Sequence, residues 1–293
     1  MTQPVAVSLV IPIYNEAASA SRLAGRLEAI RARMGNTGFE VILVDDGSTD
    51  ETAQQLARLQ DPAVTVVRHP SNRGYGAALK TGIRVAKGAW VAITDADETY
   101  PDERIPEFCS AAVAEDLDML VGARTGERVH IPLLRRFPKW FLNRLANWLS
   151  GRTIPDMNSG LRVMRKSVVE QFVHVLPNGF SFTTTITLAM LSRGYRVEYR
   201  PINYERRTGR SKIRPIQDTL NFMQLIVRTV LWFNPLRVFI PLASTLFLLG
   251  ILVAVGSYWL TGKVMDVTVA LAWMTGVMVL SVGMLADLID KRL

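Results

Sequence analysis

Two stretches near the C-terminus, Val238–Leu260 and Val267–Ala286, contain no charged residue. As a helix the first would be roughly 34 Å long, enough to cross the hydrocarbon core of a bilayer, and the second is also of spanning length. Only T-G-K-V-M-D (261–266) separates them, so the sequence predicts a transmembrane hairpin. A pair of buried core helices is the weaker alternative, because core helices seldom stay uncharged for so long. Arg228 and Arg237 precede the first run and Lys291-Arg292 follow the second, whereas the connecting loop has Lys263 beside Asp266. The positive-inside rule then places both termini in the cytoplasm. The N-terminus, M-T-Q-P-V-A-V-S, lacks a basic segment followed by an apolar run, so no cleavable signal is expected.

Ahead of the hairpin, apolar runs alternate with helical periodicity. Val5–Ile11, Glu40–Val44, Val64–Arg68 and Trp90–Ile93 read as strands, the second and fourth of them buried. Ala17–Met34 reads as a helix, and so does the segment that follows Asn72-Arg73-Gly74-Tyr75-Gly76 and runs toward Lys87. This alternation predicts an α/β domain with a largely parallel sheet covered on both faces. Tyr195–Arg200 reads as a last strand, and Pro177–Ser192 as a loop feeding a helix. The 293 residues can hold one sizeable core plus extra segments.

Three polar tips end these strands: Tyr14-Asn15-Glu16, Asp45-Asp46 and Asp95-Ala96-Asp97. In a parallel sheet they would converge on the edge where open α/β sheets place ligands. Acidic groups there can accept hydrogen bonds from a ribose and a base. Asp95 and Asp97, one residue apart at a strand end, suit a hard cation such as Mg²⁺, with phosphates and waters completing its shell. Each tip could equally be a helix cap, but three together, one with a doubled aspartate, favour a nucleotide site. His69, His130 and His174 have no ligand spacing, so zinc is not expected, and the single Cys109 excludes an internal disulfide.

The net charge of +8 invites anionic partners. The basic groups cluster near the membrane segments, which favours a lipid bilayer and phosphorylated substrates over nucleic acid. Pro132–Ser150 mixes Arg, Lys and Trp with leucines and suits an amphipathic helix at the interface, with Pro138 breaking it. An ordinary surface helix is the alternative. Arginine offers bidentate donors to phosphate oxygens, and Arg124 and Arg136 are the candidates to meet a lipid phosphate. Arg206–Arg214 gathers five basic residues around Gly209 and Ser211, a loop suited to closing over a diphosphate or to binding headgroups. Pro215–Phe233 reads as a further amphipathic helix, ending at the Asn234-Pro235 elbow.

I-P-I-Y-N-E (11–16), V-D-D-G-S-T-D (44–50), N-R-G-Y-G-A-A-L (72–79) and D-A-D-E-T-Y-P (95–101) together resemble family 2 glycosyltransferases with the GT-A fold. D-M-N-S-G-L-R (156–162) and R-R-T-G-R-S-K (206–212) narrow the likeness to the polyprenyl-phosphate glycosyltransferases, relatives of dolichol-phosphate mannosyltransferase. The resemblance implies a Rossmann-like, mainly parallel catalytic domain over residues 1–214, with the interfacial region at 132–150. A juxtamembrane helix over 215–235 and the hairpin over 236–293 complete the chain.

It also implies an inverting, metal-dependent transfer of a sugar from a UDP- or GDP-sugar to a polyprenyl phosphate. Pro12, Tyr14, Glu16 and Asp46 would frame base and ribose. Asp95 and Asp97 would serve the diphosphate and a Mg²⁺ or Mn²⁺ ion, and Arg206 and Lys212 would grip phosphate. Asp156 could orient the acceptor or the sugar, or simply cap a loop. Two departures from the family pattern stand out: Thr99 occupies the place where some relatives have a metal-binding glutamine, and Leu161 replaces the usual phenylalanine. A glycan or diacylglycerol acceptor, or a non-catalytic sugar-nucleotide-binding subunit, remains an alternative, and a homo-oligomer stays open.

Overall fold

The computed structural model describes residues 6–35, 37–125, 144, 146–148, 151–204 and 215–290. The expected interfacial helix at 132–150 and the basic loop at 206–214 fall almost wholly outside these. Seven strands form one sheet: β1 (Val7–Ile13), β2 (Phe39–Asp45), β3 (Val64–Arg68), β4 (Trp90–Ile93), β5 (Met119–Ala123), β6 (Arg162–Arg165) and β7 (Val197–Pro201). Their order is β3-β2-β1-β4-β6-β5-β7. All run parallel except β6, which pairs antiparallel with both β4 and β5. The parallel reading therefore holds for the first four strands, and β6 is a reversed strand that the motif D-M-N-S-G-L-R leads into.

Side chains alternate across the sheet as the pleat requires. Leu9, Ile11, Val41 and Leu43 pack on one face with helices α2 (Leu23–Met34) and α5 (Ile105–Ala114). Val10, Ile42 and Val44 pack on the other with α4 (Tyr75–Val85), α6 (Lys166–Phe172) and α7 (Phe182–Ser192). Both faces are dry, which is why β1 and β2 read as continuous apolar runs.

The segment expected as one helix over Ala17–Met34 is two, α1 (Ala17–Ala20) and α2. The Ser21 hydroxyl donates to the Ala18 carbonyl, an alternative to helical bonding that Ser offers readily. The break turns Arg22 and Arg26 toward the acidic turn after β4, where Arg22 pairs with Glu98 at 2.8 Å and Arg26 with Asp102 at 2.7 Å. A short helix, α3 (Thr52–Ala57), follows the β2 tip.

Helix α8 (Pro215–Phe233) docks on the domain, with Ile226 and Val230 buried against Leu188 and Leu191 of α7. It leads into α9 (Leu236–Thr261) and α10 (Asp266–Asp290). Only 11% and 17% of the two apolar windows is buried within the protein, so these are not core helices of the domain. They pack on each other, and the Trp273 indole N–H donates to the Phe247 carbonyl across the hairpin.

Candidate active site

The C-terminal ends of β1, β2 and β4 share one edge, and the tips of β1 and β2 are stitched together. Asp46 N–H donates to the Ile13 carbonyl. Asn15, held at φ +52°, accepts from Thr49 N–H through its side chain and donates its own N–H to Ser48. Pro12, Tyr14, Glu16, Asp46, Asp95 and Asp97 consequently line one cleft of about 350 Å³. Arg136, Arg206 and Lys212 lie outside the described residues.

The doubled aspartate divides its work. Asp45 faces inward: it accepts from Ser48 N–H and pairs with Arg68 at 3.2 Å. Asp46 faces the cleft, its carboxylate accepting from the main-chain N–H groups of Arg73 and Gly74 at 3.0 and 2.8 Å. His69, which the sequence reading set aside, completes that cradle. Its Nδ1 lies 2.6 Å from Asp46, and its Nε2 lies 2.9 Å from the Thr81 hydroxyl. A carboxylate can only accept, so Nδ1 carries the proton. His69 is thereby a positioning residue. If Asp46 meets a nucleotide, His69→Ala should raise the KM for that nucleotide about tenfold with kcat little changed, the loss of roughly one charged hydrogen bond. His69→Gln should recover part of that loss. Steady-state kinetics over a donor series checks this.

Asp95 accepts a hydrogen bond from the Tyr75 hydroxyl at 2.9 Å. Burial first, and the Asp95 charge second, push the Tyr75 phenol well above its ordinary value, so it stays a donor. Gly160 closes the other side: a Cβ there would stand 2.9 Å from the Asp95 oxygens. Its N–H donates to the Tyr100 hydroxyl, and burial raises that phenol to about 12.

Asp97 accepts from both the N–H and the hydroxyl of Thr99, the latter at 2.7 Å. Thr99 thus orients Asp97. The turn between them needs Glu98 at φ +60°, a conformation that non-glycine residues rarely adopt. Arg22 holds the Glu98 carboxylate, and Arg26 donates to the Ala96 carbonyl at 2.8 Å. Among the described residues no group of three His, Cys, Asp or Glu side chains could hold a metal ion. Two carboxylates backed in this way suit Mg²⁺ or Mn²⁺, whose remaining ligands come from phosphate and water.

Asp156 and Arg124 form one unit. The carboxylate accepts from Arg124 Nε at 2.7 Å, Nη2 at 2.9 Å and the backbone N–H at 3.0 Å. Burial alone would raise the Asp156 carboxyl, but the Arg124 hydrogen bonds and charge outweigh it and hold it below the usual range. Beneath them Arg162 is fully buried. Its guanidinium donates to the carbonyls of Met157, Ser159 and Thr183 and to the Thr187 hydroxyl. This ties the loop before β6 to α7.

Residues 8–173 match the model of glycosyl transferase family 2, and residues 234–291 match the GtrB C-terminal hairpin. The chain belongs to glycosyltransferase family 2. This glycosyltransferase is 33% identical to the undecaprenyl-phosphate 4-deoxy-4-formamido-L-arabinose transferase of Pseudomonas aeruginosa PAO1, over 97% of this chain and 85% of that protein. It is 34% identical to the dodecaprenyl-phosphate galacturonate synthase of Rhizobium johnstonii, over 58% of this chain and 50% of that protein. Among solved structures it resembles glucosyl-3-phosphoglycerate synthase of Mycobacterium tuberculosis in complex with Mn²⁺, UDP and phosphoglyceric acid. That likeness has a TM-score of 0.56 at 18% identity and covers 78% of each chain; it speaks for the glycosyltransferase fold alone.

Proposed function

We propose that the chain transfers a hexose-type sugar from a nucleoside diphosphate to a polyprenyl phosphate at the cytoplasmic face of the membrane, inverting the anomeric carbon. The observation that carries this reading is the single cleft that gathers Pro12, Tyr14, Glu16, Asp46, Asp95 and Asp97 on a domain joined to an apolar hairpin. The polyprenyl-phosphate sugar transferases among its relatives support the acceptor class.

Asp46 and Glu16 would meet the base and ribose. Asp95 and Asp97 would hold Mg²⁺ or Mn²⁺, a reading supported by the solved glycosyltransferases that carry those ions with UDP. When bound, the ion supplies Lewis-acid stabilisation of the departing diphosphate. The bond from the anomeric carbon to the donor phosphate breaks and a bond to the lipid phosphate oxygen forms, through an oxocarbenium-like state.

The second pKa of a phosphate monoester is about 6, so the acceptor oxygen is already a nucleophile near neutrality. No side chain is then needed as an essential general base. Placement falls to arginines: Arg124, fixed by Asp156, and Arg136, with Arg206 and Lys212 on the donor phosphates.

Incubating membranes that contain the protein with UDP- and GDP-sugars and either undecaprenyl phosphate or diacylglycerol tests this. A glycolipid should form with undecaprenyl phosphate only, and transfer to diacylglycerol would contradict the reading. The topology has its own check. Thr261→Cys, at the last residue of α9 beside the hairpin turn, should label with an impermeant thiol reagent from outside intact cells. Labelling only after permeabilisation would reverse the orientation.

A further inference from the structure

Of the large apolar side chains described before residue 215, Phe180 is the most exposed, at 80%. It is nevertheless fixed in place. The main chain of Pro177–Gly179 lies on the first turn of α4, where Ala77 N–H donates to the Asn178 carbonyl at 3.0 Å and Lys80 reaches the Asn178 side chain at 2.9 Å. Gly76 is required there, since a Cβ would collide with the Pro177 carbonyl. On the other side of Phe180, the neighbouring Phe182 is fully buried in the core. The Phe180 ring stacks on Tyr75, with centroids 5.6 Å apart and planes 18° apart. Tyr75 in turn holds Asp95.

Phe180 also stands between two recesses. One is the nucleotide cleft; the other, of about 240 Å³, is lined by Asn158, Gly160, Ser181 and Thr183, and both share Tyr75, Asp95 and Phe180. The smaller recess sets the Asn158 amide and the Ser181 and Thr183 hydroxyls beside the Phe180 and Tyr75 rings, with no cation among its described lining residues, and Asn158 is anchored by the Thr184 hydroxyl. A donor whose base lies by Asp46 and whose diphosphate lies by Asp95 and Asp97 carries its next group, the sugar, toward this recess. A pyranose ring has a C–H face and a rim of hydroxyls. An aromatic face carries negative charge density that suits the first, and neutral amide and hydroxyl side chains suit the second.

We propose that Phe180 is the platform on which the donor's sugar ring lies, with Asn158, Ser181 and Thr183 meeting its hydroxyls. The proposal rests on the nucleotide-sugar reading given above. It makes Phe180 a residue that recognises the sugar while leaving the nucleotide to the Asp46 side of the cleft.

The test uses the full-length protein in detergent with Mn²⁺ and, as probes, whichever of UDP-glucose, UDP-galacturonate, UDP-4-deoxy-4-formamido-L-arabinose and GDP-mannose the wild type turns over, together with the matching bare nucleoside diphosphate. Phe180→Ala should weaken binding of the nucleotide sugar about tenfold, equivalent to about 1.4 kcal/mol. Binding of the bare diphosphate and the KM for undecaprenyl phosphate should stay within about twofold, and Phe180→Tyr should restore the sugar term. Equal weakening of sugar nucleotide and bare diphosphate would overturn the proposal by making Phe180 a wall of the nucleotide cleft. A rise confined to the KM for undecaprenyl phosphate would overturn it in favour of a prenyl contact. A wild type that turns over none of the four donors would sink the reaction reading and this proposal with it.

Discussion

Asp97→Asn is expected to lower turnover by about 10²–10³-fold while the protein folds and inserts as before. The carboxylate is partly solvated at the cleft, and its described hydrogen bonds come from Thr99, its neighbour in the same turn. An amide oxygen can still accept both of these bonds, so the turn itself should hold. What disappears is a negative charge in a two-carboxylate set, and hard cations depend on ligand charge. Metal stabilisation of a leaving group is worth several kcal/mol, and each about 1.4 kcal/mol is tenfold in rate. Kinetics over a Mn²⁺ titration, with a melting curve as control, reads both halves. Wild-type turnover by Asp97→Asn, or by membranes stripped with chelator, would contradict the metal role.

The second large effect concerns Arg124 and Asp156. Their side chains are 25% and 11% exposed, so removing one partner strands the other in a poorly solvated place. Breaking a buried pair from one side costs about 3–5 kcal/mol; partial exposure puts this one near the lower end. Asp156→Asn and Arg124→Ala should both lower Tm by several degrees and both raise the KM for polyprenyl phosphate, because the guanidinium loses its orientation either way. The double variant should be no worse than the worse single one, which a double-mutant cycle measures as coupling.

The sign of the pH dependence follows from the depressed Asp156 carboxyl. Its stabilising contribution is present above the unfolded value of about 3.9 and is lost only as pH falls through the lower folded value. No limb of the pH–rate profile between about pH 6 and 8 should therefore belong to this pair. An acid limb in that range that vanishes in Asp156→Asn would instead make Asp156 a general base.

How much of this the chain discloses in advance depends on whether a residue's partner is near it in sequence or of a readable type. The strand tips were legible because apolar runs end abruptly in acid, and parallel strands align such ends by necessity. The hairpin was legible from its uncharged length. The break at Ser21–Arg22 was not, since its reason is a pairing with Glu98 and Asp102 on a distant turn.

His69 gives no signal in the sequence because no other histidine or cysteine shares its spacing; its partner is Asp46, just past the end of the neighbouring strand β2. Arg162 closes the D-M-N-S-G-L-R motif, but its burial is not legible there, because its acceptors are carbonyls and a threonine hydroxyl, which carry no charge to signal them. Reversed strand β6 is not legible in advance because four residues running directly into helix α6 leave too short a pattern. Phe180 lies in the segment that reads as a loop feeding a helix, and its exposure becomes visible only in the docking of that loop on α4.

The central claim is that one sugar moves to a lipid phosphate with loss of a nucleoside diphosphate. Purified protein, Mn²⁺, undecaprenyl phosphate and its nucleotide sugar can be incubated together, and the lipid and nucleotide products weighed by mass spectrometry. The lipid should gain the mass of one sugar residue and keep a single phosphate, with one nucleoside diphosphate released for each lipid formed. A lipid that gains sugar plus phosphate, with nucleoside monophosphate released, would contradict the account.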